Sequence, residues 1–267
     1  MQVAIRVVVS GTGNMGREVL LAVCRDPDLE PVGVLEKFSS EDFLSLPDSS
    51  GLVPLGADAA ALLARARPEV VVDFTNAEWA PIAARAALDA GARFISGTTG
   101  LSDEFMAELE RECRQRKLGA VMAANFAIGA VLMMHLAKLA GCHFDYAEII
   151  ELHHEKKADA PSGTALATAR EMLSARGRPF EHPPTAKETL AGTRGGVVDG
   201  VGIHSVRLPG LVAHQEVILG TLGQTLTIRH DTTSRESFMP GVLLAIKEVM
   251  NRQELVVGLD KLIGLGG

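Results

Sequence analysis

A six-residue glycine motif directly follows the first apolar segment of the chain. Residues 3–9 (VAIRVVV) have the β-branched composition of a buried strand, and residues 11–16 (GTGNMG) carry glycine at the first, third and sixth positions. In such a motif the first glycine permits a tight turn, the second lets the backbone approach a bound group, and the third lets the following helix pack against the strand. The chain is therefore predicted to begin with a β-α-β unit.

The first half of the chain continues to alternate between apolar strands and helices. Because strands separated by helices pair in parallel, this half predicts a parallel sheet with helices on both faces. The segments that carry the prediction are strands at 31–35, 70–74, 93–96 and 118–122, and alanine-rich helices at 57–66 and 80–90.

The pattern changes after about residue 125. A helix at 128–140, a strand at 147–152 and a helix at 163–175 precede a Pro- and Gly-containing loop at 176–200; strands then follow at 201–207, 216–222 and 225–230. Strands without intervening helices predict an antiparallel or mixed sheet with one covered face.

The last helix, with Phe238, Val242, Ala245 and Val249 on one stripe, is again typical of the first half. The predicted domains are 1–125 plus 235–267, and an inserted α+β domain at 126–234.

Charge excludes two classes of partner. The 267 residues include 26 basic and 33 acidic side chains, so the formal net charge is −7. A chain without excess cationic surface is not expected to bind nucleic acid or anionic membranes in general. An anionic substrate would need cations gathered locally.

The cysteines and the N-terminus predict a cytoplasmic protein. Cys24, Cys113 and Cys142 are odd in number and form no CxxC pair, which fits a reducing compartment. Arg6 interrupts the N-terminal apolar segment, which makes it a poor signal peptide. The apolar segment at 126–134 meets His135 and Lys138 well before it could cross a bilayer.

The glycine motif and the end of the second strand together predict a dinucleotide site. The diphosphate would bind free amides at the helix N-terminus, and Glu36 would accept hydrogen bonds from the adenosine ribose hydroxyls. Lys37 is a cation that attracts a 2′-phosphate, so both NADH and NADPH are expected to be usable. Two further strand ends, at 73–76 and 96–100, are expected to contact the nicotinamide side.

A cationic cluster lies in the second half. The strand at 147–152 leads into His153 and His154, and Lys156 and Lys157 follow. The segment Pro161-Ser162-Gly163-Thr164 predicts a helix start with Ser162 as N-cap and free amides at the next two residues. A helix N-terminus beside several cations predicts an anion pocket.

The sequence motifs of three other kinds of functional site are absent from this segment. A metal site is not predicted, because there is no HExxH and no cysteine partner. PSGTA lacks the lysine of a P-loop, and no GxSxG surrounds Ser162.

The segment 151–165, E-x-HH-x-x-K-x-DAPSGTA, closely resembles the motif of the 4-hydroxy-tetrahydrodipicolinate reductase (dihydrodipicolinate reductase) family. Shorter matches occur in the family's order across essentially the whole chain: Asp73-Phe74-Thr75, Gly97-Thr98-Thr99-Gly100, Ala123-Ala124-Asn125-Phe126 and Ser234-Arg235-x-x-Phe238. The resemblance implies a Rossmann-like N-terminal domain, an inserted substrate and oligomerisation domain, and a homotetramer. It also implies NAD(P)H-dependent reduction of a cyclic imine dicarboxylate in lysine and diaminopimelate biosynthesis.

The resemblance also implies roles for individual residues. His153 matches the family's catalytic acid/base, Lys157 its proton donor and His154 a substrate contact, while the amides of Gly163 and Thr164 match those that hold a substrate carboxylate. The implied cofactor contacts are Gly11, Thr12, Gly13, Asn14, Met15, Gly16, Glu36, Lys37, Gly97, Thr98, Thr99, Ala123, Ala124, Asn125, Phe126 and Arg235. This chain has a shorter glycine turn than many members, and Lys37 where arginine is common, so the preference between NADH and NADPH stays open.

Two alternatives remain open at this point. One is a reductase of a different small amino or imino acid, because a fold alone does not fix the substrate. The other is a dinucleotide-binding sensor without catalysis, which would not need the His153 and Lys157 pair.

Overall fold

The computed structural model describes residues 3–39 and 41–265, which form two compact units. The first unit comprises the chain up to Ile128 and from Phe238 onward, and the second is Gly129–Ser237. The sequence-based boundaries lie slightly earlier, at 125/126 and 234/235. Residues 1, 2, 40, 266 and 267 of the predicted first domain lie outside the described residues.

The described residues form the following strands and helices. The strands are β1 (Ile5–Ser10), β2 (Leu29–Leu35), β3 (Phe43–Ser45), β4 (Leu52–Gly56), β5 (Val70–Asp73), β6 (Arg93–Ser96), β7 (Ala120–Met122), β8 (Tyr146–His153), β9 (Gly196–Val198), β10 (Val201–Arg207), β11 (Ala213–Thr221), β12 (Gln224–Thr232) and β13 (Leu255–Val257). The helices are α1 (Asn14–Arg25), α2 (Ala59–Ala66), α3 (Ala80–Asp89), α4 (Asp103–Arg116), α5 (Ile128–Gly141), α6 (Gly163–Arg176), α7 (Met239–Val249) and α8 (Leu259–Leu262), and Arg235–Phe238 is a 3₁₀ turn.

The first unit is built on an eight-stranded sheet in the order β13-β7-β6-β5-β1-β2-β4-β3. All neighbouring strands are parallel except β3 and β4, so the predicted parallel sheet is confirmed. The strand β1 pairs with both β2 and β5, and the direction of chain progression reverses there. In open α/β sheets ligands bind at the carboxyl edge of such a switch point, and the glycine motif lies there.

Apolar helix faces cover this sheet. Val8, Val71 and Phe94 on the central strands are fully buried and belong to a core that includes Leu63 of α2 and Leu109 of α4. Close-packed side chains in such a core hold the strand ends, and the loops that follow them, in fixed positions.

The second unit contains a five-stranded mixed sheet in the order β12-β11-β8-β10-β9. Strands β8 and β10 are parallel and the other neighbours are antiparallel, which confirms the predicted mixed sheet. Ile149 and Leu219 on one face are buried in a core with Ala169 and Met172 of α6. Residues that alternate with these on the other face, such as Ile150, are only half-buried.

Several elements were not predicted. The sequence patterns did not indicate α4, α8 or the short strands β3, β4 and β13, and β9 lies inside the segment expected to be a loop. No helix in the part of the chain that the structure describes combines the length and the apolar character needed to span a bilayer.

Candidate active site

The glycine motif forms a tight connection between β1 and α1. Gly11 has φ +100°, in the region that favours glycine, and a Cβ added to Gly16 would lie 1.9 Å from the carbonyl oxygen of Gly11. A Cβ added to Gly13 would meet no atom within 4 Å, and Gly13 is the residue that caps α1. The turn therefore leaves open space in front of a helix N-terminus, which is the arrangement that admits a diphosphate.

Glu36 is held beside this turn by Thr12. One carboxylate oxygen, Oε2, accepts the Thr12 amide at 2.9 Å and the Thr12 hydroxyl at 2.6 Å. Partial burial acts to raise the pKa of Glu36, but the hydrogen bonds from Thr12 outweigh it and the pKa lies below its usual value. Glu36 is therefore an ionised acceptor at neutral pH, oriented towards the glycine motif.

Two cationic side chains are close to Glu36: Lys37 is the next residue in the sequence, and Arg17 lines the same cavity. Lys37 is exposed, with its Nζ 5.3 Å from the centre of the Phe38 ring. Arg17, which no sequence motif indicated, is exposed and donates from Nε to the Thr12 carbonyl oxygen at 2.9 Å. Asn14 and Met15 lie in the first turn of α1, where Asn14 is exposed and Met15 is half-buried.

A cavity of about 380 Å³ opens beside the glycine motif. It is lined by Gly11, Thr12, Arg17 and Glu36 together with residues around β3, including Leu44. An apolar wall with a few convergent polar groups is typical of a small-molecule or cofactor site.

The buried carboxylate of Asp73 ties two strand-end loops together. It accepts hydrogen bonds from the Thr75 hydroxyl at 2.7 Å, the Ser96 hydroxyl at 2.9 Å and the Thr98 hydroxyl at 2.8 Å. The Thr98 amide also donates to the Ser96 hydroxyl at 3.0 Å, so both the side chain and the amide of Thr98 take part in this network. Thr99 and Gly100 follow and are exposed.

Aromatic packing fixes the remaining strand ends. A Cβ on Gly97 would lie 2.2 Å from Cε1 of Phe74, and the ring of Phe74 packs against that of Phe126 with centroids 5.5 Å apart. In the loop after β7, the side chain of Asn125 accepts the Ala127 amide at 2.9 Å. Ala123 in that loop is buried, whereas Ala124 is exposed. The first unit thus brings all the predicted strand-end segments to one sheet edge.

In the second unit, a buried glutamate contacts the predicted catalytic histidine. Glu151 and His153 lie two residues apart on β8 and therefore on the same face of the strand. Glu151 Oε2 is 2.6 Å from His153 Nδ1, and the histidine side chain is 15% exposed while that of Glu151 is fully buried.

Arg207 on the neighbouring strand β10 holds the same carboxylate. Its Nη1 and Nη2 donate to Oε2 and Oε1 of Glu151, each at 2.8 Å. Nη2 also donates to the carbonyl oxygen of Asp159 at 2.7 Å. Arg207 therefore links β8, β10 and the loop that carries the lysines.

These charges act on the pKa of His153 in opposite directions. Burial lowers the pKa, contact with Glu151 raises it, and the cations Lys157 and Arg207 lower it again. The net pKa lies below the usual value, so His153 is neutral at pH 7.

Lys157 lies on the loop between β8 and α6. Its Nζ is 2.7 Å from Oδ1 of Asp159, and its side chain is 23% exposed. The hydrogen bond to Lys157 lowers the pKa of Asp159. This pairing holds the ammonium group in place while leaving it partly accessible.

The start of α6 is built as predicted. Ser162 is the N-cap, and its hydroxyl accepts the Ala165 amide at 3.2 Å. The Ser162 amide donates to Glu151 Oε1 at 3.2 Å, which anchors this helix start beside the His153 strand. Gly163 is exposed and Thr164 half-buried, so the first-turn amides face a partly open surface.

Two predicted site residues remain: one lies directly after β8, and the other lies close to the boundary between the two units. His154 directly follows β8 and is half-buried. Arg235 is exposed and begins the 3₁₀ turn. In the described residues no group of three or more His, Cys, Asp or Glu side chains is placed to hold a metal ion.

The two halves of the chain match two family models. Residues 5–126 match dihydrodipicolinate reductase, N-terminus, and residues 129–263 match dihydrodipicolinate reductase, C-terminus. The chain belongs to the dihydrodipicolinate reductase family. The family resemblance found in the sequence motifs is thereby confirmed, and this membership makes the chain an oxidoreductase that uses a nicotinamide cofactor.

Relatives in the dihydrodipicolinate reductase family match over nearly the full length. A 4-hydroxy-tetrahydrodipicolinate reductase from Dehalococcoides mccartyi is 50% identical over 262 residues, covering 98% of this chain and 99% of the relative. One from Moorella thermoacetica is 50% identical over 268 residues, with the same coverage of both chains. A dipicolinate-bound dihydrodipicolinate reductase from Paenisporosarcina sp. TG-14 superposes with a TM-score of 0.87 at 42% identity, covering 97% of this chain and 99% of that structure.

Proposed function

We propose that the chain reduces the dehydrated form of 4-hydroxy-tetrahydrodipicolinate to tetrahydrodipicolinate with NADH or NADPH, in lysine and diaminopimelate biosynthesis. The observation that carries the proposal is the arrangement of side chains in the second unit, at the end of β8 and on the loop that follows it. His153, whose Nδ1 contacts Glu151, and a partly accessible Lys157 lie beside the start of α6. The family relatives carry the name of this reductase.

The first unit fits a dinucleotide. Open space at Gly13, the N-terminus of α1 and the ionised Glu36 supply the groups that a diphosphate and a ribose need. When bound, the reduced nicotinamide supplies a hydride for C4 of the substrate ring. Glu36 favours a free ribose 2′-hydroxyl, whereas Lys37 and Arg17 favour a 2′-phosphate, so we propose that both cofactors are used.

The second unit would bind the substrate's carboxylates. We assign one carboxylate to the first-turn amides of α6 at Gly163 and Thr164, and the other to the cationic side that includes His154 and Lys157. Charge-assisted hydrogen bonds contribute roughly 1.5–3 kcal/mol each, so a few of them suffice to orient a small dianion.

The reaction also needs proton transfer by side chains of the second unit. Hydride addition at C4 of a conjugated C=C–C=N ring leaves electron density at the ring nitrogen and C3, and C3 must take up a proton. His153 is proposed as acid/base and Lys157 as proton donor, and such groups typically contribute roughly 10²–10⁴-fold.

We further propose a cytoplasmic homotetramer. The half-buried apolar residues Ile150, Leu152 and Ile218 on the face of the mixed sheet opposite α6 support an interface between copies. The free cysteines fit a reducing compartment. Light scattering should give four times the chain mass, and a monomeric mass would refute the assembly.

A coupled assay tests the proposed reaction. Substrate is generated in situ by a coupled synthase, and absorbance loss is followed with NADH and NADPH in parallel. Turnover with both cofactors is expected. Turnover only with other imine dicarboxylates would instead favour a related reductase, and calorimetric cofactor binding without any turnover would favour a sensor.

A further inference from the structure

The chemistry proposed above gives Glu151 no role, although Glu151 contacts His153, the proposed acid/base. We infer that Glu151 is a positioning residue that keeps the hydrogen of neutral His153 on Nδ1 and so makes Nε2 the atom that exchanges protons with the substrate. The inference rests on the proposed catalytic role of His153.

The hydrogen-bond pattern decides which partner donates. Both oxygens of Glu151 accept from Arg207 at 2.8 Å, and Oε1 also accepts the Ser162 amide at 3.2 Å. A carboxylate that accepts a bidentate arginine is ionised and has no hydrogen to give. In the 2.6 Å contact with His153, Nδ1 must therefore be the donor.

The positions of Glu151 and His153 on β8 also restrict the orientation of the imidazole ring. Glu151 and His153 project from the same face of β8, and Glu151 is fully buried, so the carboxylate fixes the buried side of the imidazole. The other ring nitrogen, Nε2, carries a free lone pair in this tautomer. It must accept a proton before it can donate one.

The charged groups around His153 agree with this assignment. Glu151 on β8, Arg207 on β10, and Lys157 with its partner Asp159 on the following loop are the groups that act on it or on its neighbours. Burial and the two cations oppose protonation, whereas Glu151 favours it. Loss of the Glu151 charge should therefore make His153 harder to protonate.

The tautomer of His153 can be measured in the wild-type protein. In ¹⁵N-labelled enzyme at neutral pH, with the His153 signals assigned by comparison with His153→Gln, Nδ1 should be protonated and Nε2 should not. A predominantly Nε2-protonated ring would overturn the inference. This measurement needs no variant of Glu151 and no turnover.

The pH dependence of activity provides the second test. If neutral His153 starts the cycle, kcat/KM for the substrate rises with pH through the pKa of this histidine. In Glu151→Gln the rising limb should move to lower pH, and kcat should fall roughly 10–100-fold, as for carboxylates that orient metal-bound histidines. Cofactor KM should remain unchanged.

Glu148→Gln is the matched control. Glu148 lies on the same strand but on the opposite face, where its carboxylate contacts Arg194 at 2.9 Å and His204 at 2.8 Å. This variant removes a comparable Glu–His–Arg contact and should leave the rising limb in place. Because all three enzymes act on the same substrate, titration of the substrate cancels in the comparison.

The outcomes separate this inference from the proposed function. An unchanged limb in folded Glu151→Gln, or an equal shift in Glu148→Gln, would overturn the positioning role. Near-full turnover of His153→Gln would instead overturn the catalytic assignment of His153, whatever its tautomer. If thermal unfolding shows that Glu151→Gln does not fold, the wild-type tautomer decides.

Discussion

The hydroxyl of Thr98 donates a 2.8 Å hydrogen bond to the carboxylate of Asp73, although 25 residues separate them in the chain. The bond joins the loop after β6 to the end of β5, at the sheet edge where the glycine motif lies. The Thr98 hydroxyl thus stabilises this edge of the sheet.

Replacement of Thr98 tests this stabilising role. Thr98→Val removes one hydrogen bond to a charged, buried acceptor and should lower the free energy of unfolding by roughly 1.5–3 kcal/mol. Urea denaturation measures this loss. Thr99→Val, at the exposed neighbour, should change stability by less than about 0.5 kcal/mol. Equal stabilities for the two variants would contradict a structural role for the Thr98 hydroxyl.

Gly13 should matter far more to the cofactor than to the fold. An added Cβ meets no atom within 4 Å, so Gly13→Ala should fold, and the poorer N-cap of α1 should cost about 1 kcal/mol of stability or less. The methyl group would occupy the space through which a diphosphate approaches, so KM for NADH and NADPH should rise about tenfold or more. Gly51→Ala, which is also free of contacts, is the control and should leave both KM values unchanged. A wild-type KM in Gly13→Ala would place the diphosphate elsewhere.

Lys37 should discriminate between the two cofactors. Its exposed ammonium group can attract a 2′-phosphate, which NADH lacks. Lys37→Ala should therefore raise KM for NADPH several-fold and change KM for NADH little, and parallel steady-state assays measure the ratio. Because the site is exposed, the effect on NADPH should weaken as salt is added. Equal effects on both cofactors would remove Lys37 from the site.

The sequence predicted those elements whose apolar periodicity is strong. Strand β6 and strand β10 have the predicted bounds, and α5 and α6 extend only one residue beyond theirs. Helix α4 was missed because nine of its fourteen residues are polar or charged, and its buried side is limited to Phe105, Leu109 and Cys113. Strands as short as β3 or β13, with three residues each, have no detectable period.

The site was predictable where its residues are close in sequence. The helix start at Ser162 and the glycine turn depend on the backbone geometry of a few consecutive residues, so a short sequence motif is enough to predict them. Arg207 was not predicted, because 56 residues separate it from Glu151 and only the parallel pairing of β8 with β10 brings them together. Glu151 belongs to the motif at 151–165, but its partners, and hence its effect on His153, depend on that pairing.

His153 and Lys157 should act on turnover rather than on cofactor binding. His153→Gln and Lys157→Ala each remove a group proposed to move a proton, so kcat should fall by roughly 10²–10⁴-fold while cofactor KM changes little. Lys156→Ala, one position earlier and exposed, is the matched control and should retain most activity. Near-full turnover in both His153→Gln and Lys157→Ala would overturn the assignment of roles.

Arg207 should be important for stability because its partner is buried. Arg207→Ala leaves the carboxylate of Glu151 without its cation inside the protein, and breaking a buried pair in this way costs roughly 3–5 kcal/mol. Arg229→Ala removes an exposed arginine that pairs with Glu216 and Asp231, and should cost only about 0–1 kcal/mol. Urea unfolding at neutral pH compares the two variants, and similar losses would contradict the prediction.

The effect of Arg207→Ala should also depend on pH. Burial acts to raise the pKa of Glu151, but hydrogen bonds, first of all from Arg207, lower it below its usual value. A carboxyl with a lowered folded-state pKa stabilises the fold above its unfolded-state pKa of about 4.3, and this stability is lost as the pH falls through the folded-state value. Because the unfolded states of the two proteins titrate alike, the stability difference between wild type and Arg207→Ala should be largest at neutral pH. It should shrink as the pH falls through the pKa of Glu151 in the folded variant, which lacks the cation, and then through the lower value in the folded wild type. Urea denaturation across this range measures it, and a difference that stays constant would mean that Arg207 stabilises the protein by packing alone.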